Sequence, residues 1–206
     1  NFKSIKTIKK KKDIIPRYTK NKLLSEAKLF LEWYLPRVIK KTKIKKAKIQ
    51  INNIFDNLYK QLKLNKQVFV HRDFHVSNMM FHKKKIYLID SQDAVYGNVA
   101  YDLASLIDDV RLKTSNELKE KVFKYYIKTN KKIQLERFKK DFEILSILRN
   151  LKIIGIFMRL ALRDNKKKYL KLIPHAWEMI DNRIKKQSEF KNLMLLLKNN
   201  FPKFIR

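Results

Sequence analysis

The chain has no cysteine, two glycines and four prolines in 206 residues. Without cysteine there are no disulfides, no thiolate metal sites and no cysteine nucleophile. With only two glycines there is no glycine-rich loop to cradle nucleotide phosphates. No long apolar run is uninterrupted: the most apolar stretch, 144–162, contains Arg149, Asn150, Lys152 and Arg159, which a bilayer core penalises. The basic N-terminus is not followed by an apolar signal core after Lys12. These absences lead us to expect a cytoplasmic protein with no membrane partner.

Acidic residues are also scarce, 19 Asp and Glu against 50 Lys and Arg, for a net charge of +31. A charge of that size invites a nucleic-acid reading. However, forty of the basic residues are Lys and ten are Arg, whereas nucleic-acid sites lean on Arg and exposed aromatics. Abundant Lys, Ile and Asn with little Gly and Pro fit an AT-biased genome, so we do not assign a nucleic-acid partner on charge alone. The distribution says more than the total. Lys clusters at 9–12, 40–48, 83–85 and 166–168, and is missing between Lys66 and Lys83 and between Lys85 and Lys113. Asp73, Asp90, Asp93, Asp102, Asp108 and Asp109 fall in that Lys-poor part, and a cation site is the simplest reason for such a clearing.

At this length the chain can bury one sizeable core, and 45% apolar residues argue against disorder. Residues 1–15 read as a basic tail, or as the remnant of a preceding element, and 16–206 as one domain. Spacings of three and four predict helices over 19–35, with Pro36 closing the first, and over 47–64. Val68-Phe69-Val70 reads as a short strand. Met79–His82 and Ile86–Ile89 read as strands of a hairpin around Lys83-Lys84-Lys85. Helices are predicted from 100 to 110, 115 to 129, 133 to 163, 168 to 186 and 188 to 199, with the sharpest break at Asn165. The expected fold is mainly α with a small β hairpin that carries the polar motif.

That motif is His71-Arg72-Asp73-Phe74-His75-Val76-Ser77-Asn78, within a loop over 70–80, followed by Leu88-Ile89-Asp90-Ser91-Gln92-Asp93 at the end of a strand segment over 86–93. An Asp, an Asn five residues on and an Asp ending an apolar strand are the groups phosphoryl transfer requires. One carboxylate receives the proton of the acceptor hydroxyl. The amide oxygen and second carboxylate suit Mg²⁺, which neutralises charge on the transferring group. Asp73 could instead cap its loop, and Asp90 could simply end a strand. Together with His82, the His-x-Asp-x-His run could also nucleate a zinc or di-metal site.

On these residues, and on Gly97 with Tyr101-Asp102-Leu103-Ala104, the chain resembles the aminoglycoside phosphotransferase and choline kinase group of the protein-kinase-like fold. Val70–Met80, Ile89–Asp109, Arg149–Leu170, Pro16-Arg17-Tyr18 and the segment Glu26 to Tyr34 are most similar to its anomeric N-acetylmuramate/N-acetylglucosamine kinases. The resemblance implies the helical C-terminal lobe of such an enzyme, using ATP and Mg²⁺ to phosphorylate a small amino sugar at its anomeric hydroxyl, in cell-wall recycling. It implies Asp73 as catalytic base, Asn78 and Asp90 as Mg²⁺ ligands and Asp102 as a brace of the catalytic loop. Family members carry a strand-rich N-terminal lobe with a phosphate-binding Lys. We expect that lobe to be absent from this chain, and residues 1–206 alone to be an incomplete enzyme.

Supporting roles are expected around this centre. His71 would hold the loop by a hydrogen bond, Arg72 would orient or partly neutralise the base, and His75 and Asp93 would be structural. Arg149, Asn150 and Arg159 interrupt an apolar helix face; they could line an acceptor pocket, where a guanidinium suits a lactyl carboxylate, or pair with Asp108, Asp109 or Asp164. Glu26 and Trp33 are further sugar-contact candidates. An aminoglycoside, choline-like or homoserine-like acceptor, or a non-catalytic basic binding module, are the competing readings.

Overall fold

The computed structural model describes residues 4–6, 12–64, 67–185 and 190–201. Two short strands come first, β1 (Ser4–Lys6) and β2 (Lys12–Ile14). Helix α1 (Lys20–Ala27), a π-helical turn at Phe30–Tyr34, α2 (Leu35–Val38) and α3 (Lys41–Lys60) follow. Next are β3 (Gln67–Val70), β4 (Met79–His82), β5 (Lys85–Leu88) and β6 (Val95–Asn98). The chain then runs through α4 (Tyr101–Ile107), α5 (Asn116–Thr129), α6 (Leu135–Leu162), a 3₁₀ turn at Lys167–Leu172, α7 (Ile173–Ile184) and α8 (Lys191–Asn200). It is mostly helical, as the apolar spacing predicts, but among the described residues there are three two-stranded sheets rather than one hairpin.

Several boundaries differ from the sequence reading, each for a physical reason. The basic segment expected as a tail contains β1 and β2, paired antiparallel; residues 1–3 and 7–11 of it lie outside the described residues. The helix predicted over 19–35 is broken at Lys28 and re-forms as a π-helical turn. Pro36 does not end that pattern. It sits in the first turn of α2, where its missing N–H has no partner to lose. The second helix starts at Lys41 rather than Ala47: the lysine run is a helix face, since Lys is a good helix former, and Ala47 and Ile51 turn inward beneath it. The last two helices were predicted to meet near 186–188, which lies outside the described residues. At the break after α6, Asn165 adopts a left-handed φ of 53° and the Lys166 N–H returns to the Leu160 carbonyl, a C-terminal cap.

The chain divides into two compact units, residues 1–19 with 63–142 and residues 20–62 with 143–206. In the first, β3 and β6 pair antiparallel from Gln67↔Asn98 to Val70↔Val95, a partner for β3 that the sequence reading lacked. Gly97 permits this strand to run under Tyr18, since a Cβ there would meet the Tyr18 Cβ at 3.0 Å. Ser115 caps α5 by accepting the Leu118 N–H, and Phe123, Tyr126, Phe138 and Phe142 stack in a local aromatic core. The hairpin β4–β5 turns on Lys83 and Lys84, both at positive φ.

The second unit is held by an aromatic cluster of Phe30, Tyr34, Trp177 and Phe201, with the Trp177 indole N–H donating to the Tyr34 hydroxyl at 3.1 Å. Gly155 lets α6 press directly on the chain at the start of the π-helical turn. A Cβ at that position would fall inside the backbone of Leu29 and Phe30. From 141 to 155 every residue of α6 is buried, which is why its apolar pattern runs all round the helix rather than along one stripe.

Candidate active site

Strand β3 ends in buried Val70 and delivers the chain into the loop at His71. The loop is held from behind by Asp102, which projects from the first turn of α4. Its Oδ2 accepts the His71 N–H at 2.7 Å and its Oδ1 the Arg72 N–H at 3.1 Å. Arg72 lies at φ 70°, a left-handed conformation that a bulky residue enters only at a cost. The two bonds to one carboxylate offset that cost and turn the next residue, Asp73, away from the strand. Burial first, and the Asp102 charge second, push the Tyr126 phenol above its ordinary value.

The Arg72 side chain locks the turn from the other side. Its guanidinium donates to the Asp93 carbonyl at 2.9 Å, lies 3.8 Å from the Asp93 carboxylate and covers the Tyr18 ring. Tyr18 in turn packs edge-on against Tyr101 at a centroid distance of 5.2 Å. Arg72 is therefore a clamp on the loop. The sequence reading placed Pro16-Arg17-Tyr18 near this motif only through resemblance, and it missed Tyr101 as the second aromatic wall.

Asp73 itself is half-buried, and its carboxylate makes no hydrogen bond among the described residues. Its backbone carbonyl does the structural work, accepting from the His75 N–H at 3.1 Å and from Asn78 Nδ2 at 2.9 Å. A capping Asp would show the reverse pattern, with its side chain engaged. Because Nδ2 of Asn78 is spent on that carbonyl, the Asn78 Oδ1 is left as an acceptor facing elsewhere.

Strand β5 ends at Leu88, short of the strand segment expected over 86–93, and Ile89 ties the loop to the irregular backbone that carries Asp90. The Ile89 N–H donates to the Asn78 carbonyl at 3.1 Å, and its carbonyl lies 3.0 Å from His71 Nε2. A carbonyl can only accept, so Nε2 carries a hydrogen in this contact, and the buried Nδ1 of His71 has no hydrogen-bond partner among the described residues. Asp90 follows at φ 68°, with its exposed carboxylate accepting from Gln92 Nε2. The two left-handed residues, Arg72 and Asp90, thus flank one compact set of loops. Among the described residues, no three of His, Asp and Glu gather into a cluster that could hold a metal. The oxygens of Asn78 and Asp90 nevertheless suit a cation that takes few protein ligands and keeps waters and phosphate oxygens, as Mg²⁺ does.

The six aspartates of the Lys-poor region therefore divide by their surroundings. Asp102 is spent on backbone N–H groups. Asp108 and Asp109 are buried; Asp108 lies 3.7 Å from the Lys119 ammonium and Asp109 accepts the Arg111 N–H. Asp90 and Asp93 are exposed, and Asp73 is half-buried. His75 is buried under the loop.

The remaining candidates belong to the second unit. Glu26 is buried and paired with Lys152 at 2.7 Å, so its carboxylate already has a cation. Trp33 is half-buried on the π-helical turn, unlike fully buried Trp177. Arg149 and Asn150 lie in the buried stretch of α6; the Asn150 amide folds back on the Ser146 carbonyl, leaving its Oδ1 buried without a partner. Arg159 is half-buried, with its Nε unpartnered. The nearby Asp164 is taken by Arg163, whose hydrogen bond is the main reason its carboxyl sits below the usual range.

Residues 10–137 match the model of a phosphotransferase enzyme family. The chain belongs to that family. The matched span includes Asp73, Asn78, Asp90 and Asp102 and ends before Arg149. Among curated proteins, the chain is 31% identical over 190 residues to an N-acetylmuramate/N-acetylglucosamine kinase of Neisseria meningitidis, covering 89% of this chain and 57% of that protein. A protein of the same name from Pseudomonas aeruginosa is 30% identical, covering 89% and 56%. Another, from Caulobacter vibrioides, is 32% identical over 119 residues. The chain spans little more than half the length of the first two relatives. Among the described residues, no helix is long and apolar enough to cross a membrane.

Proposed function

We propose that this chain carries the catalytic loop and metal-binding residues of an ATP-dependent kinase that phosphorylates the anomeric hydroxyl of N-acetylmuramate or N-acetylglucosamine. The observation that carries the reading is the contrast within the loop at Asp73. The His71 and Arg72 N–H groups and the Asp73 carbonyl are hydrogen-bonded, while the Asp73 carboxylate is left open to receive a proton. In this reading Asp73 is the base. It holds the acceptor hydroxyl by a hydrogen bond and takes its proton as the hydroxyl oxygen forms its bond to the γ-phosphorus of ATP and the bond from that phosphorus to the bridging oxygen breaks, releasing ADP. Asn78 Oδ1 and Asp90 would hold Mg²⁺. When bound, that ion supplies positive charge to the phosphate oxygens.

The names of the relatives support the amino-sugar acceptor.

Phosphorus NMR of the full-length protein with ATP, Mg²⁺ and each of the two sugars tests this. The proposal expects a sugar 1-phosphate resonance from at least one of them. Phosphate appearing on an aminoglycoside or choline, with neither sugar modified, would overturn the assignment of the acceptor.

A further inference from the structure

Asp141 stands out among the buried charges of the first unit. It is 0% exposed, and no phosphotransfer role has been given to it above. It lies in α6, between buried Phe138 and Phe142, at a position where an apolar side chain would complete the helix face. An isolated buried carboxylate is costly unless its oxygens are fully bonded. Here Oδ1 accepts the Lys63 N–H at 2.7 Å, and Oδ2 accepts the Leu64 N–H at 3.0 Å and Asn98 Nδ2 at 2.6 Å. Three donors from two distant segments converge on one side chain.

Those segments frame the catalytic loop. Lys63 and Leu64 precede β3, which leads into His71. Asn98 ends β6, the partner of β3. The other end of the Asn98 amide, Oδ1, accepts the Ala100 N–H at 2.9 Å, which fixes the turn into α4 one residue before that helix starts. Two residues further on, Asp102 holds the His71 and Arg72 N–H groups. An unbroken series of bonds thus runs from Asp141 through Asn98 and the start of α4 to Asp102, and from there to the backbone that presents Asp73.

We infer that Asp141 is a positioning residue for the phosphotransfer loop, acting through Asn98 and Asp102. This rests on the kinase reading only for what the loop does; the brace itself is a claim about the loop's backbone. A merely architectural Asp141 would lower global stability and leave the loop no worse held than the rest of the unit. A positioning Asp141 loosens His71 and Arg72 ahead of their surroundings.

The test is residue-resolved amide hydrogen exchange on the full-length protein and two variants, alongside phosphotransfer from ATP to N-acetylmuramate and to N-acetylglucosamine. Asp141→Asn puts an NH₂ group against N–H donors. Asn98→Asp keeps the acceptor for Ala100 but sets carboxylate against carboxylate, and it serves if Asp141→Asn fails to fold. Loss of one such bond corresponds to about a tenfold loss of protection at the His71 and Arg72 amides, with the β4–β5 amides unchanged. Where the parent turns over, kcat falls with KM retained. Uniform loss of protection across the unit, or unchanged protection at His71 and Arg72 in a folded variant, overturns the inference. A parent that transfers no phosphate to either amino sugar, with the selective loss still present, defeats the kinase reading and leaves the brace standing.

Discussion

The loop region over 70–93 and the buried stretch of α6 over 141–155 are both rich in polar side chains, and they treat them in opposite ways. In α6 the charges of Asp141 and Lys152 are closed off, Asp141 by three hydrogen bonds and Lys152 by its pairing with Glu26, while the Asn150 Oδ1 stays buried without a partner. In the loop region the backbone is closed off and the side chains are left open. The Asp73 carboxylate makes no hydrogen bond among the described residues, and the exposed Asp90 carboxylate accepts from the neighbouring Gln92 side chain, both held on backbone that includes two left-handed residues. Buried polar groups must be satisfied where they stand, so the first region is architecture. Open carboxylates on a strained and well-braced backbone are what a reacting group requires. Changes in the loop region should therefore alter chemistry and spare the fold, and changes in α6 should do the reverse.

The sharpest test on the loop side is Asp90→Ala. Removing the charged metal ligand should lower turnover by about a thousandfold, since a bound cation contributes several kcal/mol to the transition state. The melting temperature should stay within a degree or two, roughly the scale expected of a solvent-facing side chain. Steady-state kinetics and a thermal melt on the same preparation check both halves, and a large loss of stability would erase the distinction.

On the α6 side, Lys152→Met strands the buried Glu26 carboxylate and should cost about 3 kcal/mol in urea unfolding. Adding Glu26→Gln should restore much of that loss, because the unpaired charge is then gone. A double variant no more stable than the single one would show that the pair is not the reason for the loss. Gly155→Ala should cost about 2 kcal/mol or more, because its methyl group meets backbone that cannot turn aside. A neutral result there would mean that α6 can shift away from Leu29.

The smallest effect is expected at the tip of β4–β5. Lys83 and Lys84 occupy a two-residue turn at positive φ, where Asn-Gly is preferred. The double change Lys83→Asn, Lys84→Gly should stabilise by about 0.5 kcal/mol without changing turnover. A drop in turnover would give the lysines a role in the loop region's chemistry.

Much of this division was legible in the sequence. The apolar spacing predicted the helices, while the loop motif singled out Asp73, Asn78 and Asp90 as candidates and the family resemblance added Asp102, whose bonds to the His71 and Arg72 N–H groups the sequence alone could not show. What was not legible depends on long-range partners. Asp141 reads as an ordinary helix carboxylate until Lys63, Leu64 and Asn98 are seen beside it. Glu26 reads as a possible sugar contact until Lys152, 126 residues away, neutralises it. The π-helical turn was invisible because Phe30, Leu31 and Tyr34 keep a helical spacing through the change of winding. β6 was missed because Val95–Asn98 is short and holds a glycine, which weakens any strand pattern.

The central claim is that the Asp73 carboxylate is free for chemistry and unneeded for the fold. The most direct measurement is turnover and thermal melting of Asp73→Asn in the full-length protein, with ATP, Mg²⁺ and the amino sugar. The account predicts a loss of about a thousandfold in kcat with an unchanged melting temperature. Turnover equal to the parent, or a protein that no longer folds, would contradict it.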